Sequence, residues 1–273
     1  MIQRKVGFIG AGVMAEALIS GMLKARAAVP ERLCASDPEE ARRTALAAWI
    51  GAQNVFDDNM RLVKACGALV LSVKPKVVPA VAGQIAQALS AEHLIVSIAA
   101  GVTLASLRQM LGTDRLVRVM PNTPARVGAG ASAYCAGGAA TADDAALVEE
   151  MLGSVGLCLR VEEADMDAVT GLSGSGPAYV YTVIEAMADG GVQMGLRREI
   201  AVRLAAQTVL GAARMVIETG LDPKQLTAQV ATPGGTTVEG LRVLNEAQVA
   251  KAVAAAVVAA AQKSRLLSGT GRP

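Results

Sequence analysis

The sequence predicts an α/β protein, in which a doubly wound sheet over residues 1–162 is followed by an all-helical domain over residues 163–273. Three observations lead there. Short β-branched runs alternate with helix-like segments as far as about Val161, the pattern of strands joined by crossover helices. The first run flows directly into a glycine-rich turn and a helix. Past Glu162 the β-branched runs stop, and long stretches follow with apolar residues at helical spacing, such as Val180, Val183, Ile184 and Met187. A chain of 273 residues can bury a core in each of two such domains.

The candidate strands are Val6–Ile9, Leu33–Ser36, Ala68–Val73, Leu94–Ile98, Leu116–Val119, Ala131–Cys135 and Leu157–Val161. Most are apolar without alternation, as strands covered by helices on both faces should be. The acidic stretch from Glu162 to Asp167 has the polarity of a connection and marks the boundary. The last helix, read as Asn245 to Leu267, carries Val249, Val253 and Val257 among many alanines. One subunit would cover so much small apolar surface poorly, which makes the second domain a dimerisation domain built by helix packing between subunits.

Net charge is +2 with no basic cluster, which points to a small-molecule partner, with no nucleic acid and no membrane. Arg4, Lys5 and the apolar run to Leu23 superficially copy a secretory signal, but Glu16 and the early glycines oppose it. The Ala/Val run Ala252 to Ala261 is about half of the roughly 20 residues that span a bilayer. Cys34, Cys66, Cys135 and Cys158 are widely spaced with no histidine nearby, so neither zinc nor a disulfide framework is expected, and the compartment expected is the cytoplasm.

The first strand runs into Gly10-Ala11-Gly12-Val13-Met14-Ala15, and a helix with Met14, Leu18 and Met22 on one face follows. Strand, tight turn and helix in this order predict a Rossmann-like dinucleotide site rather than a bare turn. Gly10 permits the turn, Gly12 lets the backbone approach a pyrophosphate, Ala15 allows close packing, and the helix N-terminus offers free N–H groups. An acid after the second strand usually selects NAD by binding ribose hydroxyls, and Asp37 is in that place. Yet Asp37-Pro38-Glu39-Glu40 also reads as a helix start with Asp37 as N-cap in a capping box. That leaves Ser36 to meet a 2′-phosphate, with Arg42 and Arg43 as counter-charges. NADP is the expected cofactor, with NAD also used. Val73-Lys74-Pro75 and Ala99-Ala100-Gly101 end strands at the ligand-binding edge of such a sheet, and Asn59 stands in a loop with reach to adenine. Singly, Lys74 reads as a solvated lysine and Asn59 as a turn residue.

The one histidine, His93, precedes an apolar strand and reads as a loop or helix-end residue. Oxidising an alcohol needs a general base, usually His or Lys. The Gly-rich helix start Gly171 to Pro177 is followed by no lysine before Lys224. An imine, able to arrive protonated, needs orientation more than a strong acid. Thr232-Pro233-Gly234-Gly235-Thr236-Thr237 opens another helix, whose amides can hold a carboxylate while the Thr237 hydroxyl reaches an imine nitrogen. The alternative is an ordinary Thr-capped turn.

Val6–Ala15, Val73-Lys74-Pro75, Ala99–Thr103, Met120-Pro121-Asn122-Thr123-Pro124, Gly174–Tyr179 and Thr232–Thr237 occur in the order found in pyrroline-5-carboxylate reductases, and the chain resembles that family over nearly its whole length. The resemblance implies reduction of 1-pyrroline-5-carboxylate to L-proline by hydride transfer from NAD(P)H, the last step of proline biosynthesis. It also implies a helical domain that interlocks two subunits, with larger rings such as a decamer known in the family. By position it implies cofactor contacts at Gly10, Ala11, Gly12, Val13, Met14, Ser36, Pro38, Asn59, Val73, Lys74, Ala100 and Asn122. It implies substrate contacts at Thr232, Gly234, Gly235, Thr236 and Thr237, of which Thr237 is the catalytic candidate. No metal is implied. Two positions depart from the family: Thr232 replaces its usual serine, and Asp37 replaces a neutral or basic residue. The rivals are a reductase of another imine or a hydroxyacid dehydrogenase, and a protein that binds NADP without turnover.

Overall fold

The structure is a computed structural model describing residues 1–269. Eight strands form one sheet: β1 (Val6–Ile9), β2 (Leu33–Ser36), β3 (Val55–Phe56), β4 (Ala68–Leu71), β5 (Leu94–Ser97), β6 (Leu116–Met120), β7 (Gly130–Ala136) and β8 (Gly156–Arg160). Their order is β3-β2-β1-β4-β5-β6-β7-β8. The first six run parallel, β7 is antiparallel to β6, and β8 is parallel to β7. The first six strands thus have the order of a dinucleotide-binding sheet, whose switch point lies between β1 and β4.

Helices α1 (Val13–Lys24), α2 (Glu40–Ile50), α3 (Asn59–Ala65), α4 (Val78–Ile85), α5 (Leu104–Leu111) and α6 (Ala142–Gly153) connect these strands. Alternate strand residues enter two cores: Phe8, Val70 and Val96 pack with Leu18 and Met22, while Ile9, Leu69, Leu71 and Ile95 pack with Leu107. Both strand faces are dry, so the apolar runs lack alternation. The fully buried Asp144, in the first turn of α6, ties three places together. It accepts from Arg4 at 2.6 Å, ahead of β1, and from Arg115 at 2.8 and 3.0 Å, ahead of β6.

The helical part comprises α7 (Met166–Val169), a π-helical turn Thr170–Gly174, α8 (Gly176–Gln193), α9 (Arg198–Thr219), α10 (Pro223–Val230), α11 (Thr236–Glu246) and α12 (Val249–Ser268). By packing, the chain divides into one unit of Met1–Ser175 with the described residues from Ala259 onward, and a second of Gly176–Val258. The sequence changes texture at Glu162, but compactness carries the first unit farther because Met166 is buried in its core and Asp167 accepts a 2.6 Å hydrogen bond from Ser264.

The second unit buries only Ala188, Ala201 and Ala205 among its apolar residues, with Ile184 and Val202 against them. Val180, Val183 and Met187 of α8 and Leu204, Leu210 and Ile217 of α9 are exposed. Helix α9, and not the Ala252–Ala261 run, has the length and apolar content of a membrane-crossing helix by itself.

The structure shifts some boundaries. The strand expected to reach Val73 stops at Leu71, and the one expected to reach Ile98 stops at Ser97. The two-residue edge strand β3 is too short to show a period. The last helix, expected from Asn245, begins at Val249, and Asn245 and Glu246 close the helix before it. The two are bent by 51°, because Gln248 takes the left-handed conformation at φ +53 and interrupts the ladder.

Candidate active site

The glycine loop follows from the packing at the end of β1. Gly10 has φ +96, and a Cβ there would lie 2.8 Å from Val73 Cγ1 and 2.9 Å from the Ser72 carbonyl oxygen, so only glycine fits. Over Gly12 the nearest atom to an added Cβ is Arg42 Nη1 at 3.9 Å. The backbone is therefore open to a ligand on that side. Gly12 caps α1 without a side-chain hydrogen bond, which leaves first-turn N–H groups available. Ala15 is fully buried, as close helix-to-strand packing requires.

A cleft of about 1120 Å³ opens here at the C-terminal edge of the sheet. Gly10, Ala11, Gly12, Val13, Met14, Ser36, Pro38, Asn59, Val73 and Lys74 all line it. Ala100 and Asn122 do not, although their neighbours Ile98, Met120 and Pro121 do. The Asn122 side chain is engaged inside the protein, donating to the Ser173 carbonyl at 3.1 Å and accepting from the Ala131 N–H at 2.9 Å. It holds the loop that carries Pro121.

Asp37 is buried, and both its oxygens accept backbone N–H groups, from Ala11 at 2.8 Å and from Glu39 at 2.9 Å. The carboxylate is locally occupied, but not as the capping box read from sequence. Helix α2 starts at Glu40 with Glu39 as N-cap and no side-chain cap, because the Ala11 amide of the glycine loop draws the carboxylate away from the helix. Arg43 donates to the Asp37 and Pro38 carbonyls at 2.9 and 2.8 Å and lies outside the cleft wall, whereas Arg42 lines it. The Ser36 hydroxyl donates to Asn59 Oδ1 at 2.8 Å, and Asn59 Nδ2 donates to Gln84 Oε1 at 2.7 Å. Gln84 and the acidic residues Asp57 and Asp58 also line the cleft. No sequence motif marks them, since they arrive on α4 and the turn before α3.

His93 is structural. The Ser90 N–H donates to Nδ1 at 2.9 Å, so Nε2 carries the proton and donates to the Val63 carbonyl at 3.2 Å. Among the described residues no acidic, histidine or cysteine cluster could hold a metal.

In the helical unit, Thr232–Thr237 forms a tight turn into α11. Gly234 has φ +73, the Gly235 N–H donates to the Thr232 carbonyl at 2.9 Å, and a Cβ on Gly235 would meet Thr232 Oγ1 at 2.6 Å. Gly235 caps the helix without a side-chain hydrogen bond. Thr236 is exposed and Thr237 half-buried. The Val238 N–H donates to the Gly235 carbonyl at 3.2 Å, and Glu239 at the end of the first turn is paired with Arg242, so it is the amides of Thr236 and Thr237 that this helix start offers to a carboxylate.

Residues 163–267 match the family model described as pyrroline-5-carboxylate reductase dimerisation, and residues 5–101 match that of NADP oxidoreductase coenzyme F420-dependent. The pyrroline-5-carboxylate reductase of Arabidopsis thaliana is 46% identical over 264 residues, covering 97% of this chain and 95% of that one. That of Methanosarcina acetivorans is 45% identical over 268 residues, covering 98% and 99%. Among solved structures, Plasmodium falciparum pyrroline carboxylate reductase with NADP bound superposes with a TM-score of 0.87 at 34% identity, covering 98% of this chain and 99% of that one.

Proposed function

The chain belongs to the pyrroline-5-carboxylate reductase family, and from that premise we propose how its residues reduce 1-pyrroline-5-carboxylate to L-proline, the last step of proline biosynthesis. The crevice fits a dinucleotide: Gly12 is open above, the start of α1 is uncapped, and the walls come from the ends of three neighbouring strands, β1, β2 and β4. When bound, NADPH, or NADH in its place, supplies the hydride that saturates the C=N bond. Gly12, Val13 and Met14 bind the pyrophosphate through their amides and Gly10 shapes their turn, with Ala11 between them. Ser36, Pro38 and Asn59 bind the adenosine end. Val73, Lys74, Ile98 and the loop held by Asn122 bound the remainder.

The N–H groups at the start of α11, shaped by Thr232, Gly234, Gly235 and Thr236, hold the substrate carboxylate. Thr237 hydrogen-bonds the ring nitrogen and fixes which carbon faces the hydride. The imine arrives protonated, so hydride addition leaves a neutral secondary amine and needs no strong acid. The observation that supports an imine over an alcohol is the absence of a suitable base: no lysine lies between Gly171 and Lys224, and His93 is bound to Ser90 and Val63. Thr237→Val should lower kcat by roughly 10²-fold. An unchanged kcat with an unchanged pH profile would remove Thr237 from the chemistry.

Residues 163–273 form the substrate and dimerisation domain in this reading, interlocking two subunits that assemble further into rings such as a decamer. The apolar residues left exposed on α8 and α9 support it, and light scattering reads the assembly size. The compartment is the cytoplasm, which fractionation tests.

A further inference from the structure

At the adenosine end of the cleft, polar groups are taken up by one another. Asp37 holds two backbone N–H groups, Ser36 and Asn59 hold each other, and Arg43 holds two carbonyls. Among the described residues at this end, Arg42 is the cation that lines the cleft. Its Nη1 is the atom nearest the open space over Gly12. Its Nε forms an ion pair with Glu39 Oε2 at 2.8 Å, and Nη1 lies 3.7 Å from Asp37 Oδ2. Glu39 lines the cleft beside it.

We infer that Glu39 sets the cofactor preference by competing with the 2′-phosphate of NADPH for Arg42, so that the site accepts NADPH and NADH alike. The inference rests on the dinucleotide reading above and specifies it. A 2′-phosphate carries between one and two negative charges at neutral pH and pairs best with a free guanidinium. With Nε on Glu39, Arg42 keeps its Nη protons for a phosphate. The same carboxylate, with Asp37 behind it, cancels the charge that would favour the phosphate over a plain hydroxyl. Arg42 and Glu39 are half exposed, which limits the competition to the range of a surface ion pair, about three- to fivefold in relative affinity. Glu39 is thus a positioning residue, acting through Arg42.

Calorimetric titration of the whole protein with NADP⁺ and NAD⁺, and with adenosine 2′,5′-bisphosphate and AMP, tests this without turnover. Glu39→Gln should raise the affinity ratio of the 2′-phosphorylated ligand over its partner about three- to fivefold, and Arg42→Gln should lower it. On the Arg42→Gln background, Glu39→Gln should leave the ratio where it is, since the effect passes through Arg42. The kcat/KM ratio for NADPH over NADH should follow the same order, through KM. A ratio unmoved by Glu39→Gln overturns the inference, as does an equal gain with Arg42 absent, which would make Glu39 a bare repelling charge. Failure of the wild type to bind either dinucleotide would instead overturn the dinucleotide reading, and this inference with it.

Discussion

At Gly10, φ +96 and the contact with Val73 leave no room for a Cβ. Gly10→Ala should therefore cost about 1–3 kcal/mol of strain and abolish measurable dinucleotide binding, read by urea unfolding and calorimetry. Wild-type affinity in that variant would show that the loop tolerates the strain. Asp37 was legible only in part. That its carboxylate is engaged follows from its neighbours, but its principal partner, the Ala11 N–H, lies 26 residues away across two strands. Local sequence offered a helix cap in its place. The Asn59–Gln84 contact likewise joins residues whose nearness is made by the sheet and not by any spacing.

Elements were legible wherever both faces of a strand are buried, as in β1, β2, β4 and β5, because the apolar run is then continuous. The break between α11 and α12 was legible only to within a few residues, because neither Gly nor Pro marks it. Gln248 holds a left-handed conformation that glycine tolerates better. Gln248→Gly should stabilise the protein by about 0.5 kcal/mol, the strain relieved less the added freedom of the unfolded chain. A fall in the urea midpoint would mean the strain is negligible. Helix α6 carries a larger dependence. Burial pushes the Asp144 carboxyl up, but hydrogen bonds from Arg115, the Thr141 backbone and Arg4 outweigh it and hold the group well below the usual carboxylate range. A depressed folded value means stability that is full above the unfolded pKa of about 4 and is lost as pH falls toward the folded one. Asp144→Asn should cost roughly 3 kcal/mol at pH 7. That cost should shrink on acidification below about pH 4, and a constant difference in urea unfolding would refute the linkage.

At the scale of the molecule, the sequence announced an apolar helical surface without saying what covers it. The stretch that matches the dimerisation model, residues 163–267, contains that surface. Leu210 and Ile217 lie two turns apart on one face of α9 and are both exposed. Leu210→Glu should move the assembly toward smaller species by light scattering, with unaltered mass excluding this face from the contact. The extent of the first unit was hidden, since no local pattern shows that the chain returns to it.

That return, sealed by the Ser264 to Asp167 hydrogen bond, has a consequence for dissection. The smallest piece able to stand as the nucleotide-binding body is not a contiguous stretch. Residues 1–175 made alone would lack a part of themselves, and a peptide carrying the end of α12 should restore by complementation what the cut removed.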